Sequence, residues 1–238
     1  MESEKIVNAA NACGISINME QAILFGDYYR FLKKENTKYN LTRICDEEAV
    51  LYDHFIDSLW SVAALGGCPA RELLDLGSGA GFPGVPLKLY CPSLKLILLE
   101  TSQKKYNFLQ QLTAYLNLNE VVLIKMRAEE LGRGEKRESY EWVAARAVAP
   151  LPVLAELALP LLRIGGYFWA FKGPSAESEL MEARVIVNRC GGILQEIISY
   201  TLPPGCKKRN VLVFEKVREA EARFPRRVGI PQKRPILK

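Results

Sequence analysis

The residues with the clearest chemical potential lie between Leu73 and Gly84, where the chain reads LLDLGSGAGFPG. Asp75 stands within an apolar run and is followed at alternate positions by Gly77, Gly79 and Gly81. Glycines permit a close approach of the backbone to a ligand, and a carboxylate at this point can receive a cationic amino group directly or through water. The segment therefore predicts a small-molecule site at the end of a strand.

Two classes of cofactor compete for this loop. GAGFPG matches the dinucleotide pattern G-x-G-x-x-G, in which a pyrophosphate binds the free N–H groups of a helix N-terminus. Pro83 and Pro86 remove backbone donors from that predicted first turn. S-adenosylmethionine has no phosphate and does not need those donors, so it fits better, and an NAD-type ligand is the weakest alternative.

Complementary groups follow the next two predicted strands. Glu100 ends the second strand, where a carboxylate accepts hydrogen bonds from ribose hydroxyls. Ala128 and Glu129 follow the third, where a small residue and an acid suit an adenine ring and its amino group. Each acid alone is more often a solvated strand terminus, but three successive strand ends favour the same cofactor.

The segment after the fourth strand narrows the choice of methyl acceptor. It reads AARAVAPL, whereas amino-group methylation of adenine usually uses an N/D-P-P-Y/F motif there. Methylation of cytosine C5 needs an attacking thiolate, commonly from a Pro-Cys pair, and the chain has only the reverse order. Neither chemistry is supported.

Two further candidates lie in the amino-terminal region. His54 is one turn from Val50 and Leu51 on an apolar helical face, where a lone histidine is more often a packing residue than a functional one. Asn40, beside Thr42 in an irregular loop, either caps a turn or reaches the substrate base. The residues alone leave both choices open.

Three parts of the chain must position these residues. Residues 1–66 are predicted to form a helical extension, with helices over 19–36 and 47–65 joined by a loop. Residues 67–217 alternate strands and helices, one of them over 151–164, which predicts a mostly parallel α/β sheet. The last two strands are joined by a link too short for a crossover and are therefore predicted to be antiparallel. This is the layout of a Rossmann-like class I methyltransferase sheet.

Residues 218–238 form the third part, a basic tail. The whole chain has a net charge of +5, yet from Pro203 onward eleven Lys or Arg stand against three Glu, which gives +8 there and −3 in the rest. Such a segment favours a polyanionic partner, because Lys and Arg release condensed counterions. A solvated tail without a partner is the alternative.

The cysteines and the hydropathy of the chain indicate its cellular compartment. The single histidine and the absence of a C-x-x-C pair predict no metal site and reduced thiols. The sequence has no apolar run long enough to span a membrane, and its first residues lack the basic region and apolar core of a signal peptide. We therefore expect a cytosolic protein. The six cysteines are Cys13, Cys45, Cys68, Cys91, Cys190 and Cys206.

Several motifs together resemble one family, the bacterial 16S rRNA guanine-N7 methyltransferases (RsmG, formerly glucose-inhibited division protein B). The resemblance covers nearly the whole chain, and its most specific motifs are the G-F-P-G-x-P loop and the terminal P-R-R-x-G-x-P-x-K-x-P. It implies transfer of a methyl group from S-adenosylmethionine to N7 of the guanine at position 527, in the small ribosomal subunit. The matching segments are YNLTRI, HFIDSL, LLDLGSGAGFPGVPL, ETSQKKYNFL, RAEE, ARAVAPL, AFKG and FPRRVGIPQKRPIL.

Two basic residues end the fourth and fifth strands, at the carboxyl edge of the sheet where ligands bind. From this position we assign Arg146 and Lys172 to the cofactor end and to guanine O6 or a neighbouring phosphate. Guanine N7 has a lone pair and no proton to lose, so alignment matters more than a general base. Positions matching the family's cofactor contacts are Gly77, Phe82, Ala128, Glu129 and Arg146, and the predicted RNA contacts are Arg226, Arg227, Lys233 and Arg234.

Two alternatives to this function remain open. A small-molecule methyltransferase would have no use for the basic tail. An RNA-binding module could keep the same fold without turnover.

Overall fold

One sheet of seven strands positions the candidate residues in the computed structural model, which describes residues 1–44, 46–64, 67–68, 71–203, 205 and 207–237. The strands are β1 (Glu72–Leu76), β2 (Lys95–Leu99), β3 (Val121–Ile124), β4 (Tyr140–Arg146), β5 (Leu162–Lys172), β6 (Gly192–Leu202) and β7 (Lys207–Lys216). Their order is β3-β2-β1-β4-β5-β7-β6. The first five are parallel, whereas β7 is antiparallel to both β5 and β6. The predicted mostly parallel sheet with an antiparallel C-terminal hairpin is confirmed.

The central strands form because their apolar runs are buried on both faces of the sheet. Leu73, Leu74 and Asp75 in β1 have no exposed surface. Because β1 to β5 are parallel, their carboxyl ends meet at one edge of the sheet. That edge receives the residues predicted to bind ligands.

Ten α-helices surround the sheet within the described ranges. A π-helical turn (Leu51–Ile56) joins α3 to α4, and a 3₁₀ turn (Leu159–Leu161) follows α8. The helices are α1 (Ser3–Ala12), α2 (Met19–Tyr39), α3 (Glu47–Val50), α4 (Asp57–Ala64), α5 (Gly84–Tyr90), α6 (Gln103–Tyr115), α7 (Ala128–Leu131), α8 (Leu151–Ala158), α9 (Ala176–Arg189) and α10 (Ile230–Lys233). None of the helices in this part of the chain has the length and apolar character that a membrane span needs.

Two helix boundaries differ from the sequence prediction. Helix α2 continues to Tyr39 and stops where Asn40 adopts a left-handed conformation with φ of 49°. The helix predicted over 151–164 ends at Ala158, because Pro160 has no N–H to continue it and forms part of the 3₁₀ turn. The last three residues of that prediction, 162–164, belong to β5 instead.

The core has two parts, one on each face of the sheet. On one face, Phe25 and Phe55 from the amino-terminal helices are buried in the same cluster as Phe108 and Trp169. Phe168 and Phe224 belong to the cluster on the other face, with α8 and α9. The helical extension therefore shares its core with the sheet, and the division at 66 and 217 stays a prediction.

The expectation that all the cysteines are reduced is wrong for one pair. Cys68 and Cys91 form a disulfide, with Cα atoms 6.0 Å apart. Cys68 precedes β1 and Cys91 follows α5, so the fold brings together two residues that no local motif links. Cys13 and Cys190 are free, and burial raises the pKa of the Cys190 thiol to about 12. Cys45 and Cys206 lie outside the described residues.

Candidate active site

The loop after β1 uses its backbone donors within the protein. The N–H groups of Gly77 and Ser78 donate to Leu99 O, and that of Gly79 donates to Glu100 Oε2 at 2.9 Å. Further along, the N–H groups of Gly81 and Phe82 both donate to Ser78 O. A phosphate group therefore finds few free donors on this loop, which favours a phosphate-free ligand.

Two glycines of the loop are required by close contacts. Gly77 has φ of 73°, and a Cβ there would lie 2.7 Å from Val148 Cγ2. Gly81 has φ of 98°, and a Cβ there would lie 2.7 Å from the Tyr28 hydroxyl oxygen. Any larger residue at either position would strain the backbone and collide with a side chain.

Asp75 lies beneath the loop instead of facing a ligand. It is fully buried, and its Oδ2 accepts the Gly84 N–H at 2.9 Å, while Oδ1 has no partner among the described residues. Burial raises the pKa of Asp75 to about 7, against the lowering effects of the Gly84 hydrogen bond and of Arg146. Direct contact with a cationic amino group is not available to it in this fold. Asp75 instead fixes the start of α5.

The acids after β2 and β3 also bind backbone amides. Glu100 Oε1 accepts the N–H groups of Thr101 and Ser102 at 2.8 and 2.7 Å, in addition to the Gly79 bond to Oε2. Glu129 is 6% exposed, and its Oε1 accepts the Gly229 N–H at 2.9 Å. Ala128, beside it, is 7% exposed. The three predicted strand-end groups thus lie along one edge, with the glycine loop among them.

A cavity of about 590 Å³ lies next to that loop, at the carboxyl ends of β4 and β5. Four basic and three acidic side chains line it, together with His54. Arg146 and Lys172, predicted to hold the cofactor end and guanine O6 or a phosphate, are both in this lining. The charged residues are Arg146, Lys172, Lys208, Arg209, Asp53, Asp57 and Glu179.

Arg146 connects the end of β4 to the amino-terminal helices. Its Nη1 donates to Asp57 Oδ2 at 2.9 Å, and its Nη2 is 3.0 Å from His54 Nδ1. Asp53 O is also 3.1 Å from His54 Nδ1, but it accepts from Arg146 Nη1 at 3.2 Å. Because a guanidinium only donates, we assign Nδ1 as the acceptor and place the proton on Nε2, toward Thr42 Oγ1 at 3.1 Å. Burial, reinforced by Arg146 and Arg209, lowers the pKa of His54 to about 3. His54 is therefore neutral at physiological pH.

Phe82 connects the glycine loop to the cavity. Its ring stacks on the His54 ring with a centroid distance of 4.2 Å, and the Arg146 guanidinium lies 4.9 Å from its centroid. His54 and Arg146 line the cavity, whereas Phe82 contacts both of them from the side of the loop. A ligand on the loop and one in the cavity would be neighbours.

Sequence reasoning missed the acids and the hairpin residues of this cavity. Asp57 Oδ1 accepts from the Tyr200 hydroxyl at 2.8 Å and from Arg209 Nη1 at 3.2 Å. Arg209 also pairs with Asp53, and its buried Nε has no partner in the part of the chain that the structure describes. Tyr200 and Arg209 face each other across the β6–β7 hairpin. An acid in the otherwise apolar segment FIDSLW was the one available signal.

Lys172 is held at the opposite wall of the cavity. Its Nζ donates to Ala149 O and to Glu179 Oε2, both at 2.8 Å, and the side chain is 8% exposed. Asn40 lies elsewhere, exposed on the rim of a second cavity of about 360 Å³. It ends α2, as the capping interpretation predicts, and does not line the larger cavity.

Of the four basic residues predicted to contact RNA, one is bound within the protein and three are exposed. Arg226 is bound to Glu156, which is 1% exposed, through its backbone N–H and its guanidinium. This buried pair occupies Arg226, so we revise its predicted role from RNA contact to anchor. Arg227, Lys233 and Arg234 are exposed, and none of them forms an ion pair with a described residue.

No group of three or more His, Cys, Asp or Glu in the described ranges is arranged to hold a metal ion. The groups that could take part in chemistry lie on the loop and in the lining of the cavity.

Comparisons with known proteins bear on that chemistry. A family model described as rRNA small subunit methyltransferase G matches residues 21–208. The Ribosomal RNA small subunit methyltransferase G of Pelotomaculum thermopropionicum is 42% identical over 235 residues, which cover 98% of each chain. A protein of the same name from Staphylococcus carnosus is 39% identical over 240 residues, covering both chains fully.

Among solved structures, YcgJ from Bacillus subtilis matches with a TM-score of 0.54 and 12% identity, over 69% of this chain and 100% of its own. That likeness shows the fold alone. The extent and identity of the sequence matches confirm the resemblance first seen in the motifs: the chain belongs to the rRNA small subunit methyltransferase G family.

Proposed function

We propose that this protein transfers the methyl group of S-adenosylmethionine to N7 of a guanine in 16S rRNA of the small ribosomal subunit, the base that the family resemblance places at position 527. The observation that carries this is the contact of Phe82, on the glycine loop, with His54 and Arg146 in the lining of the cavity. It places a glycine loop that suits a phosphate-free cofactor directly beside a charged cavity that can admit a base.

The glycine loop and the strand ends fit S-adenosylmethionine. The loop amides are already used within the protein, so no pyrophosphate has to be held there. Glu129 Oε2 accepts no hydrogen bond from a described residue and is available to an adenine amino group. Glu100 Oε1 accepts three donors from Thr101 and Ser102, whereas Oε2 accepts only the Gly79 N–H and has a second lone pair for a donor such as a ribose hydroxyl. The cofactor supplies an electrophilic methyl group on a sulfonium centre.

The cavity supplies the acceptor side. Arg146 and Arg209, both bound to Asp57, and Lys172 on the opposite wall give it cationic groups that can hold guanine O6 or a phosphate. His54 is neutral and hydrogen-bonded on both ring nitrogens, so we assign it to positioning Arg146 and Phe82 and not to proton transfer. Asn40, on the outer rim, is left with its capping role.

No general base is required by this reaction. N7 of guanine carries a free lone pair, so the protein has to align it and to stabilise the positive charge that develops on the ring. The carboxylates of Asp53 and Asp57 lie in the same cavity as the cations. We propose that they limit the repulsion between that charge and the two arginines.

The three parts of the chain have separate roles in this proposal. We propose that residues 1–66 close one side of the cavity, that 67–217 hold cofactor and base, and that 218–238 present Arg227, Lys233 and Arg234 to RNA. A flipped or looped-out guanine is required, because a stacked base is obstructed.

The cytoplasm, where small subunits are assembled, is the expected location.

One comparison tests the proposal. N7-methylguanine is mapped in small-subunit RNA from cells with and without this protein, and purified undermethylated subunits are incubated with the protein and labelled cofactor. We expect one guanine to lose its methyl group in the deletion strain and to regain it in vitro. Methylation that persists without the protein, or labelling of another atom, would refute the assignment.

A further inference from the structure

The carboxyl-terminal segment passes beside the acid proposed to hold the adenine. Gly229 donates its N–H to Oε1 of Glu129 at 2.9 Å. The second oxygen, Oε2, accepts no hydrogen bond from a described residue, and it is not among the fully buried atoms without a partner. One oxygen of a side chain that is 6% exposed is therefore fixed by the tail, while the other stays open.

The segment is held in this place by contacts that do not involve Glu129. Upstream, Arg226 is bound to the buried Glu156, and Phe224, fully buried, lies between two arginine side chains. A Cβ on Gly132 would lie 3.0 Å from the Pro225 ring, so the segment lies directly against the end of α7. Downstream, Pro231 in α10 is buried. These anchors set the position of the Gly229 amide from both sides.

We infer that the carboxyl-terminal segment is a positioning element for the cofactor: the Gly229 N–H orients the Glu129 carboxylate so that its Oε2 accepts the exocyclic amine of adenine. The inference rests on the proposed function, because it takes Glu129 as the adenine contact. A side chain that is already ordered loses less conformational freedom when its ligand binds. The segment that carries the exposed RNA-facing cations thereby also tunes the affinity for the cofactor.

The test measures cofactor affinity in a chain that lacks the positioning bond. A protein ending at Val228 loses Gly229 and α10 but keeps the Arg226 and Phe224 anchors. We expect its dissociation constant for S-adenosylhomocysteine, measured by calorimetry, to rise about five- to tenfold, the effect of one lost hydrogen bond. Gln232→Ala in the full chain is the matched control, because this exposed side chain on α10 forms no hydrogen bond with a described residue.

A second variant keeps the segment intact. Glu129→Gln retains an oxygen for the Gly229 N–H but replaces the open acceptor by an NH₂ group, so we expect a similar loss of affinity. Glu130→Gln, at the exposed neighbouring acid, controls for the change of charge. Hydrogen exchange at the Gly229 amide provides a readout independent of affinity. It should slow in the wild type when S-adenosylhomocysteine binds, and not in Glu129→Gln.

The outcomes separate the two proposals. If the wild type binds no S-adenosylhomocysteine, the proposed function itself fails. If the wild type binds it and both the shortened chain and Glu129→Gln bind equally well, the positioning role is overturned. Should the shortened chain melt below the assay temperature, the exchange rate at Gly229 decides: a rate that the ligand leaves unchanged refutes the inference.

Discussion

At the scale of single residues, three of the cations in the cavity are largely buried and paired with carboxylates. Arg146, Arg209 and Lys172 each lie against a carboxylate, and none of these three side chains is more than 19% exposed. Such pairs contribute little to stability when they are compared with apolar replacements, but they fix where the cations are. In the proposed reaction, cations held in place align guanine O6 or a phosphate, and with it N7, for the transfer.

Replacing Lys172 by alanine should lower turnover without unfolding the protein. Its partner Glu179 keeps the Leu151 N–H and the Ser175 hydroxyl as donors. The main effect of the substitution is therefore that the cavity loses a cation. We expect kcat for methylation of small subunits to fall about tenfold or more, with little change in the thermal midpoint. Lys95→Ala removes an exposed lysine at the opposite edge of the sheet and is the control. Wild-type turnover in Lys172→Ala would remove Lys172 from the proposed site.

Asp75 should make stability depend on pH in a defined direction. Its pKa is raised from 3.8 to about 7 by burial, so the folded chain holds this proton more tightly than the unfolded chain. The stabilisation is complete below the unfolded pKa and is lost as pH rises through about 7. The variant Asp75→Asn keeps an oxygen for the Gly84 N–H and cannot ionise.

Urea midpoints of the wild type and Asp75→Asn test this at several pH values between 4 and 8. We expect the variant to gain relative to the wild type as pH rises across that range. The difference also cancels the opposite contribution of His54, whose lowered pKa destabilises the folded chain as pH falls below its unfolded value. A constant difference between the two proteins would show that Asp75 is ionised throughout.

At the scale of elements, the sequence predicts what depends on local pattern. The alternation of apolar runs and helices predicts five parallel strands, although β3 is only partly buried and β5 begins at Leu162, inside the helix predicted over 151–164. The glycine loop could be identified as well, because its glycines and prolines are themselves the local signal. The Pro160 turn shows the limit, since an apolar run can leave a helix and start a strand without a change in composition.

The cavity could be predicted only in part. Arg146 and Lys172 were found because each ends a strand, but Tyr200 is 143 residues from Asp57, to which it donates. Nothing local in either segment encodes that contact. The π-helical turn around His54 also shifts the residues that follow it around the helix axis, so a regular helical period misplaces Asp57. Long-range ion pairs and such turns arise from the tertiary fold.

The carboxyl-terminal segment should depend on a single buried pair. Arg226→Ala leaves Glu156, which is 1% exposed, without its cation, and we expect a loss of about 3 kcal/mol in the free energy of unfolding. Arg227→Ala, one residue on and exposed, should change it by less than about 0.5 kcal/mol. Urea unfolding of both variants measures the difference. Equal effects would mean that the pair does not anchor the segment.

Adding Glu156→Leu to Arg226→Ala checks the cause of that loss. Removing the buried charge together with its partner should restore much of the stability, because the penalty comes from an unpaired carboxylate. If the double variant is less stable than Arg226→Ala, lost packing around the segment is the cause instead.

At the scale of the whole molecule, the excess positive charge should govern binding to the ribosomal subunit. Arg227, Lys233 and Arg234 are exposed and unpaired among the described residues, so each can neutralise a phosphate. Replacing all three by alanine should weaken binding and flatten its dependence on salt, by roughly one in the log–log slope for each lost contact. Affinity for small subunits measured across a potassium chloride series provides the slope. An unchanged slope would place the RNA on another face.

The carboxylate of Asp57 accepts from Arg146, Tyr200 and Arg209, which belong to three strands, while Asp57 itself belongs to the amino-terminal helices. This acid therefore has all its donors only after residue 209 has been synthesised and has joined the sheet. A nascent chain that has not yet formed the β6–β7 hairpin therefore lacks part of the lining of the cavity. We therefore expect a chain truncated before residue 209 to be inactive in methyl transfer.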